Sequence, residues 1–314
     1  MVRRYGFITY FEYICIQMKQ TTDTILMVRP CGFAFNEETA ANNAFQQRLD
    51  GDVAQRAVEE FDDYVSMLRS NGITVDVLQD TPQPHTPDSI FPNNCFSTHG
   101  DALVLYPMFA FNRRLEREKL KSALEKYDFD RIVDLTAFEE VDRFLEGTGS
   151  LVLDRENLIA YACISPRTDA SLVEQWADSM GYTPVMFKAS DMGGIPIYHT
   201  NVMMHIGTGY AVVCLDAVKD DVQRELLSET IHKSGKELVA ITLEQMNQFA
   251  GNMLQVHNSK GEELLVMSRS ALMSLSRMQI ETLEKYTRIL APEIPIIETV
   301  GGGSARCMIA EIFQ

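Results

Sequence analysis

The chain repeats itself, and that constrains its fold more than any other feature. Five stretches, NNCFST, TGSLVL, TNVMMHIG, GNMLQVHN and GSARCMIAEIF, align on Asn94, Gly149, Asn201, Asn252 and Ser304. Successive anchors lie 55, 52, 51 and 52 residues apart. Each block opens on a small or amide-bearing residue and runs into an apolar, strand-like segment. In four blocks a second apolar run follows (ALVLYPM, LIAYACI, AVVCLDAV, ELLVMS), then a helical stretch and a third strand (DRIVDL, YTPVMF, KELVAI, IPIIE). Period-two patterns alternating with helical ones specify an α/β chain. Five near-equal units favour a closed circular array over an open stack. In such a ring the block starts converge on the axis, which would gather Asn94, Glu146, His199, Asn252 and Cys307 around one cavity. No Pro- or Ser-rich linker interrupts the array, so residues 18–314 are expected to form a single domain.

Ahead of the first block, residues 25–28 and 73–78 read as strands. A helical pattern runs between them from about 37 to 70, and Asn71-Gly72 supplies the stop that a left-handed cap needs. Residues 1–17 resemble a signal peptide only weakly, because Glu12 interrupts the apolar run and no small-residue cleavage site follows. We read them as a loosely attached extension, with Met18 the more natural start. No segment approaches a membrane span.

The formal net charge of −16 excludes the basic surface that nucleic acid binding requires, and it disfavours an anionic membrane face. The six cysteines, at 15, 31, 95, 163, 214 and 307, show no Cys-x-x-Cys spacing. A chain of this size does not need disulfide staples, so reduced thiols and a cytoplasmic location are expected. No metal site is indicated.

Cys307 follows the glycines at 301–303, which let backbone pass close to a ligand. A thiol acts as a nucleophile only as thiolate, and Arg306 and the loop N–H groups are candidates to favour that form. Among six histidines, His199 opens a block and so points inward. His205 is expected to pack locally. His85 and His99 fall in polar loop sequence, His232 on a helix face and His257 near a hairpin turn. A catalytic imidazole needs an orienting acid, and Glu146 stands at the matching block start before a Gly-x-Gly turn.

The combination PDSIFPNN, LEGTGSLVLD, ISPRTD, HTNVMMHIG, GNML and GGGSARC resembles the guanidine-modifying, or pentein, superfamily, in order and over nearly the whole chain. The resemblance implies a five-bladed, pseudo-symmetric ββαβ propeller with a Cys-His-Glu centre and no cofactor. It implies that Cys307 attacks a planar carbon, that His199 moves protons and that Glu146 holds His199. Arg167 matches the arginine that grips a substrate α-carboxylate, a task suited to its two-pronged donor set. Asn94, Asn201, Asn252, Asp88 and Gly303 are the remaining candidate substrate-binding residues.

Relatives that act on cationic substrates carry aspartate where this chain has Asn94 and Asn201. A carboxylate facing a neutral urea would leave a buried charge unpaired, whereas an amide offers a donor and an acceptor. Citrulline, cleaved to ornithine, ammonia and carbon dioxide, is therefore the expected substrate, closest to the citrulline ureidase branch. Two alternatives stay open. Asp88 or Asp216 could supply a carboxylate for a guanidine, or the chain could bind an amino acid without turning it over. Self-association, where it occurs, is expected as a homodimer.

Overall fold

The computed structural model describes residues 19–314; the extension at 1–17 and Met18 lie outside the described residues. Within them the chain forms a mixed α/β fold of five three-stranded sheets. The strands are β1 (Thr24–Arg29) and β2 (Thr74–Gln79), then β3 (Phe96–His99), β4 (Ala102–Leu105) and β5 (Arg131–Asp134). There follow β6 (Leu151–Asp154), β7 (Ile159–Cys163), β8 (Thr183–Phe187), β9 (Met204–Ile206), β10 (Tyr210–Val213) and β11 (Glu237–Ala240). Last come β12 (Leu254–His257), β13 (Glu263–Val266), β14 (Arg288–Leu290) and β15 (Ala310–Glu311).

Four sheets follow chain order and share one pattern. The middle strand pairs antiparallel with the strand before it and parallel with the strand after it, as β4 does with β3 and β5. The parallel step needs a crossover, which the helical segments between second and third strands provide. The fifth sheet has the same pattern but joins both ends of the chain. There β1 pairs antiparallel with β15 and parallel with β2.

The block starts hydrogen-bond from one unit to the next. Thr148 Oγ1 donates to the Asn93 carbonyl at 3.2 Å, Thr200 Oγ1 to Ser150 at 2.5 Å and Asn252 Nδ2 to Asn201 at 3.0 Å. The Arg306 amide then donates to Asn252 Oδ1 at 3.1 Å, and Thr98 Oγ1 to the Glu311 carbonyl at 3.0 Å. The series runs through all five units and returns to the first. These groups are buried, and buried polar groups are costly unless paired. The first strands β3, β6 and β9 are buried along their whole length.

Three local expectations need correction. The helix foreseen from 37 to 70 is two helices, α1 (Glu37–Ala40) and α2 (Val53–Ser70). Gly51 takes a positive φ of 102°, and Asp52 starts α2 afresh by accepting from the Gln55 amide. Its far end follows the expectation, with Asn71 as cap and Gly72 at φ 84°. The third strand of the fourth unit is β14, not IPIIE. Pro292 and Pro295 interrupt the backbone there, and the Ile296 and Ile297 amides donate to the Glu60 carboxylate instead of a strand. His99 lies not in a loop but at the buried end of β3, bonded to Ser97 Oγ and Arg155.

No helix among the described residues is long and apolar enough to cross a membrane. Gly251 permits a tight junction between units, since a Cβ there would lie 2.4 Å from the Val202 carbonyl oxygen. Gly251→Ala is therefore expected to cost about 1–3 kcal/mol, as overpacking does. A thermal midpoint equal to that of the parent protein would show that the junction can relax.

Candidate functional site

Cys307 lies in a tight turn, Ala305–Met308, just after the glycine loop and ahead of β15. Two carboxamides point at its sulfur. Asn252 Nδ2 lies 3.2 Å away and Asn201 Nδ2 3.6 Å away. Both come from block starts, so the repeat itself surrounds the sulfur with N–H donors. Arg306 does not serve that purpose, because its guanidinium is taken up by the Ile309 carbonyl and by Glu311 at 2.8 Å.

His199 opens the turn Thr200–Val202, with its Nε2 2.7 Å from Glu146 Oε2. Glu146 is fully buried; its Oε1 accepts from the Phe109 amide, and Arg167 Nη1 lies 3.5 Å from Oε2. Burial alone would push the Glu146 carboxyl up. The Arg167 charge and the His199 hydrogen bond overcome it and hold the group at about 2. For His199, burial dominates and lowers the pKa, although Glu146 pulls the other way. Near neutral pH this gives a carboxylate facing a neutral imidazole, so Nε2 carries the proton and Nδ1 is the free nitrogen. Gly149 is required beneath them: a Cβ there would lie 2.3 Å from Asn94 Nδ2 and 2.8 Å from His199 Nδ1.

Asp88, Asn94, Arg113, Arg167, His199 and Cys307 line one cavity, together with the glycines at 301–303. Its free space is about 20 Å³, room for about one water. The segment after α1 closes it. Asn43 Nδ2 donates to the Gly302 carbonyl at 3.3 Å, the Gln47 amide donates to Thr299 at 2.7 Å, and Phe45 packs on Tyr198 and Phe249. Arg167 is held by the same segment, through the Thr39 carbonyl at 2.8 Å and Asn42 Oδ1.

The remaining candidates are distributed as follows. Asn201 and Asn252 stand behind the sulfur rather than in the cavity wall, and Asn201 Oδ1 is buried without a partner. Gly301 and Gly303 press against the Phe91 ring, where a Cβ would sit 2.8–2.9 Å from ring carbons, so their close approach is to Phe91. Asp216 is exposed in the turn Leu215–Ala217 and does not line the cavity. Asp88 does. Its Oδ2 accepts from Asn36 and Thr39, its Oδ1 has no partner, and burial raises its pKa. His205 is buried and pushed down to about 3, and His85 and His232 are exposed.

Sequence reasoning missed Arg113 and the closing residues Thr39, Asn42 and Asn43. Arg113 sits in the charge-rich stretch FNRRLERE. Only the i, i+3 spacing to Glu116 hinted at a pair, which proves fully buried at 2.9 Å.

A family model described as N,N dimethylarginine dimethylhydrolase, eukaryotic, matches residues 29–314. In sequence, no curated protein matches significantly. Among solved structures, the chain is similar to ArgZ, an arginine dihydrolase from the ornithine-ammonia cycle in cyanobacteria, with TM-score 0.73 and 18% identity. That match covers 93% of this chain and 40% of the cyanobacterial protein, so the chain spans well under half of that relative. The N-terminal domain of ArgZ bound to substrate is covered to 98% at TM-score 0.72 and 19% identity. A dimethylarginine dimethylaminohydrolase carrying an S-methyl-L-thiocitrulline adduct matches 93% of this chain and all of its own at TM-score 0.65 and 14% identity. At these identities the likeness speaks for the fold.

The two amides at the sulfur make a prediction independent of any substrate. Asn252→Asp keeps the size of the side chain but replaces a donor with a carboxylate beside Cys307, which disfavours thiolate. Alkylation of Cys307 by iodoacetamide at pH 7, followed by mass spectrometry, should slow about tenfold or more, with circular dichroism unchanged. An unchanged rate would mean that Asn252 does not tune the sulfur.

Proposed function

The chain belongs to the N,N-dimethylarginine dimethylhydrolase family of the guanidine-modifying superfamily, and on that premise we propose that it is a cofactor-free, Cys307-dependent hydrolase of carbon–nitrogen bonds whose substrate is citrulline. The fold that goes with this reading is a five-bladed ββαβ propeller forming one catalytic domain. The observation that carries the substrate choice is the polarity around Cys307. In the cavity wall beside Cys307 stand the Asn94 carboxamide and the His199 imidazole; the Glu146 carboxylate is taken up by His199 and Arg167, and Asp88 accepts from Asn36 and Thr39. A neutral ureido group can sit there; a guanidinium would find no free counter-charge at the reacting end.

The amino-acid end is bound on the other side of the cavity. Arg167, released from Asn42 and Thr39 as the closing segment moves, grips the α-carboxylate. Thr39 links Arg167 to Asp88, since its carbonyl accepts from the one and its hydroxyl donates to the other. The unpaired Oδ1 of Asp88 is then the acceptor for the α-ammonium group.

In the first step His199 Nδ1 takes the proton of the Cys307 thiol, and the sulfur attacks the ureido carbon. The terminal C–N bond breaks, and His199 delivers a proton so that ammonia leaves. This gives an S-carbamoyl cysteine that still carries the ornithine side chain. Water, deprotonated by His199 Nδ1, attacks the same carbon and releases the sulfur. The carbamate formed loses carbon dioxide to give ornithine, so one citrulline and one water yield ornithine, ammonia and carbon dioxide. Glu146 keeps Nδ1 of His199 free by occupying Nε2.

A guanidine substrate is favoured by one observation, the buried carboxylate of Asp88 in the cavity wall. On that reading the free oxygen of Asp88 pairs with the cation, and the products from arginine or dimethylarginine include citrulline. Offering the purified protein citrulline, arginine, agmatine and dimethylarginine separately decides between the two. Ornithine and ammonia from citrulline alone are expected; citrulline accumulating from a guanidine would replace the ureido reading.

The His199–Glu146 pair sets the pH profile. His199 must be neutral to accept a proton, and burial lowers its pKa, so the acidic limb of kcat/KM should fall below the ordinary imidazole value of about 6.5. Glu146→Gln removes the interactions that raise this pKa. The limb should then move to still lower pH while kcat drops about 100-fold. A limb that moves upward would show that Glu146 does not act on His199.

A further inference from the structure

Arg113 reaches the cavity from α3 (Phe111–Arg114), and its side chain is almost fully buried. Four of its five N–H groups are paired. Nε donates to Glu116 Oε1 at 2.9 Å, and Nη2 to Glu116 Oε2 at 3.0 Å and to the Phe91 carbonyl at 2.9 Å. Nη1 donates to Asn94 Oδ1 at 2.7 Å. Glu116, at the start of α4 (Glu116–Leu124), also accepts from Cys95 Sγ at 3.1 Å, so the residue after Asn94 is tied to the same carboxylate.

A guanidinium has donors and no acceptor, and it stays charged at any pH a protein survives. It therefore removes the usual freedom of an asparagine to present either end. Turning the Asn94 amide over would set its NH₂ against the Arg113 N–H groups, two donors face to face in a buried site. Asn94 must give its oxygen to Arg113, which leaves Nδ2 as its other face. That nitrogen has only a long 3.5 Å contact to the Glu146 carbonyl, and it lies over Gly149 beside His199 Nδ1.

We propose that Arg113 is a positioning residue that locks the Asn94 amide with its N–H side toward the cavity, so that position 94 selects a substrate carrying a carbonyl oxygen. This rests on the ureido reading and deepens it. A ureido oxygen accepts from Asn94 Nδ2, whereas every edge of a guanidinium is a donor and would leave Nδ2 buried and unpaired. An aspartate at 94 would meet Arg113 with one oxygen and turn an acceptor on the cavity, inverting the preference. Selectivity is thus set by an arginine that need not touch the substrate.

The test compares kcat and KM for citrulline and arginine in the full chain, for the parent, for Arg113→Lys, and for the double variant Arg113→Gln/Glu116→Gln. The double change keeps the buried pair neutral and puts at position 113 a carboxamide that accepts as well as donates, so Asn94 can turn over. Thermal melts select the variants that remain folded. In the parent, citrulline should exceed arginine in kcat/KM by at least about tenfold, the discrimination expected of one buried donor left unpaired. The double variant should lose most of that ratio, chiefly through kcat/KM for citrulline, while the lysine variant, still a donor only, should keep it. If the parent prefers citrulline and the folded double variant keeps the parent ratio, the lock is wrong and the ureido reading stands. If Arg113→Lys loses the ratio while the double variant keeps it, the lock is equally wrong. If the parent prefers arginine, the ureido reading fails and the lock with it. Should the double variant not fold, Arg113→Lys with Asn94→Asp decides: the lysine change should preserve citrulline preference and the aspartate change should reverse it toward arginine.

Discussion

Everything at the centre of this molecule depends on the side-chain-mediated hydrogen bonds that carry each block start onto the one before it. A short strand of three or four residues has little to hold it in place by itself. Here each is tied to the neighbouring unit by a hydrogen bond, from Thr148 to Asn93 round to Thr98 and Glu311. The same residues do two jobs. Asn252 takes the Arg306 amide on its oxygen, and its nitrogen reaches both the Asn201 carbonyl and the Cys307 sulfur. A group whose hydrogen bonds are all used cannot drift, so the residues that close the fold also place the thiol among its donors.

The charges at the centre follow from the same economy. Buried charges are tolerated only when paired. Glu146 answers Arg167, and Glu116 answers Arg113. After those pairings the wall beside Cys307 offers the Asn94 carboxamide and a neutral imidazole, and the one carboxyl of the wall with a free oxygen, Asp88, accepts from Asn36 and Thr39. On the proposed function, charge recognition falls to the amino-acid end and dipole recognition to the reacting end. The closing segment belongs to this division, since Asn42 offers Arg167 an amide oxygen where a carboxylate would bind more strongly.

Much of this was legible in the chain because the repeat is written in residue types that have few alternatives. Asparagines and small residues before apolar runs at a spacing near 52 mark the block starts, and Cys307, His199 and Glu146 fall in register with them. The pairing of β15 with β1 could not be read locally, because it joins ends nearly three hundred residues apart and each strand carries only an ordinary apolar pattern. The break after α1 was hidden for a different reason. Residues 41–52 have acceptable helical periodicity, and what ends the helix is tertiary: Asn43, Gln46 and Gln47 satisfy carbonyls at 299–302 instead of their own backbone. IPIIE misled because its apolar character suits a strand as well as a turn packed in the core, and only the flanking prolines spoke against a strand.

Arg113 was the costliest omission, and the reason is general. A charged residue in a charge-rich helix reads as surface, because arginine is mostly exposed. What reverses that prior is a partner that takes up the charge on the same helix face and an acceptor in the site that needs a fixed orientation. Sequence displays the first as a three-residue spacing and cannot display the second. Asn94 has the same limitation seen from the other side. Its identity was visible and its chemistry was read as both donor and acceptor, but in the folded protein it can be only one of the two toward the cavity. The amide at 94 therefore carries its information not in its own composition but in the guanidinium behind it, and the specificity of the site is a property of the pair.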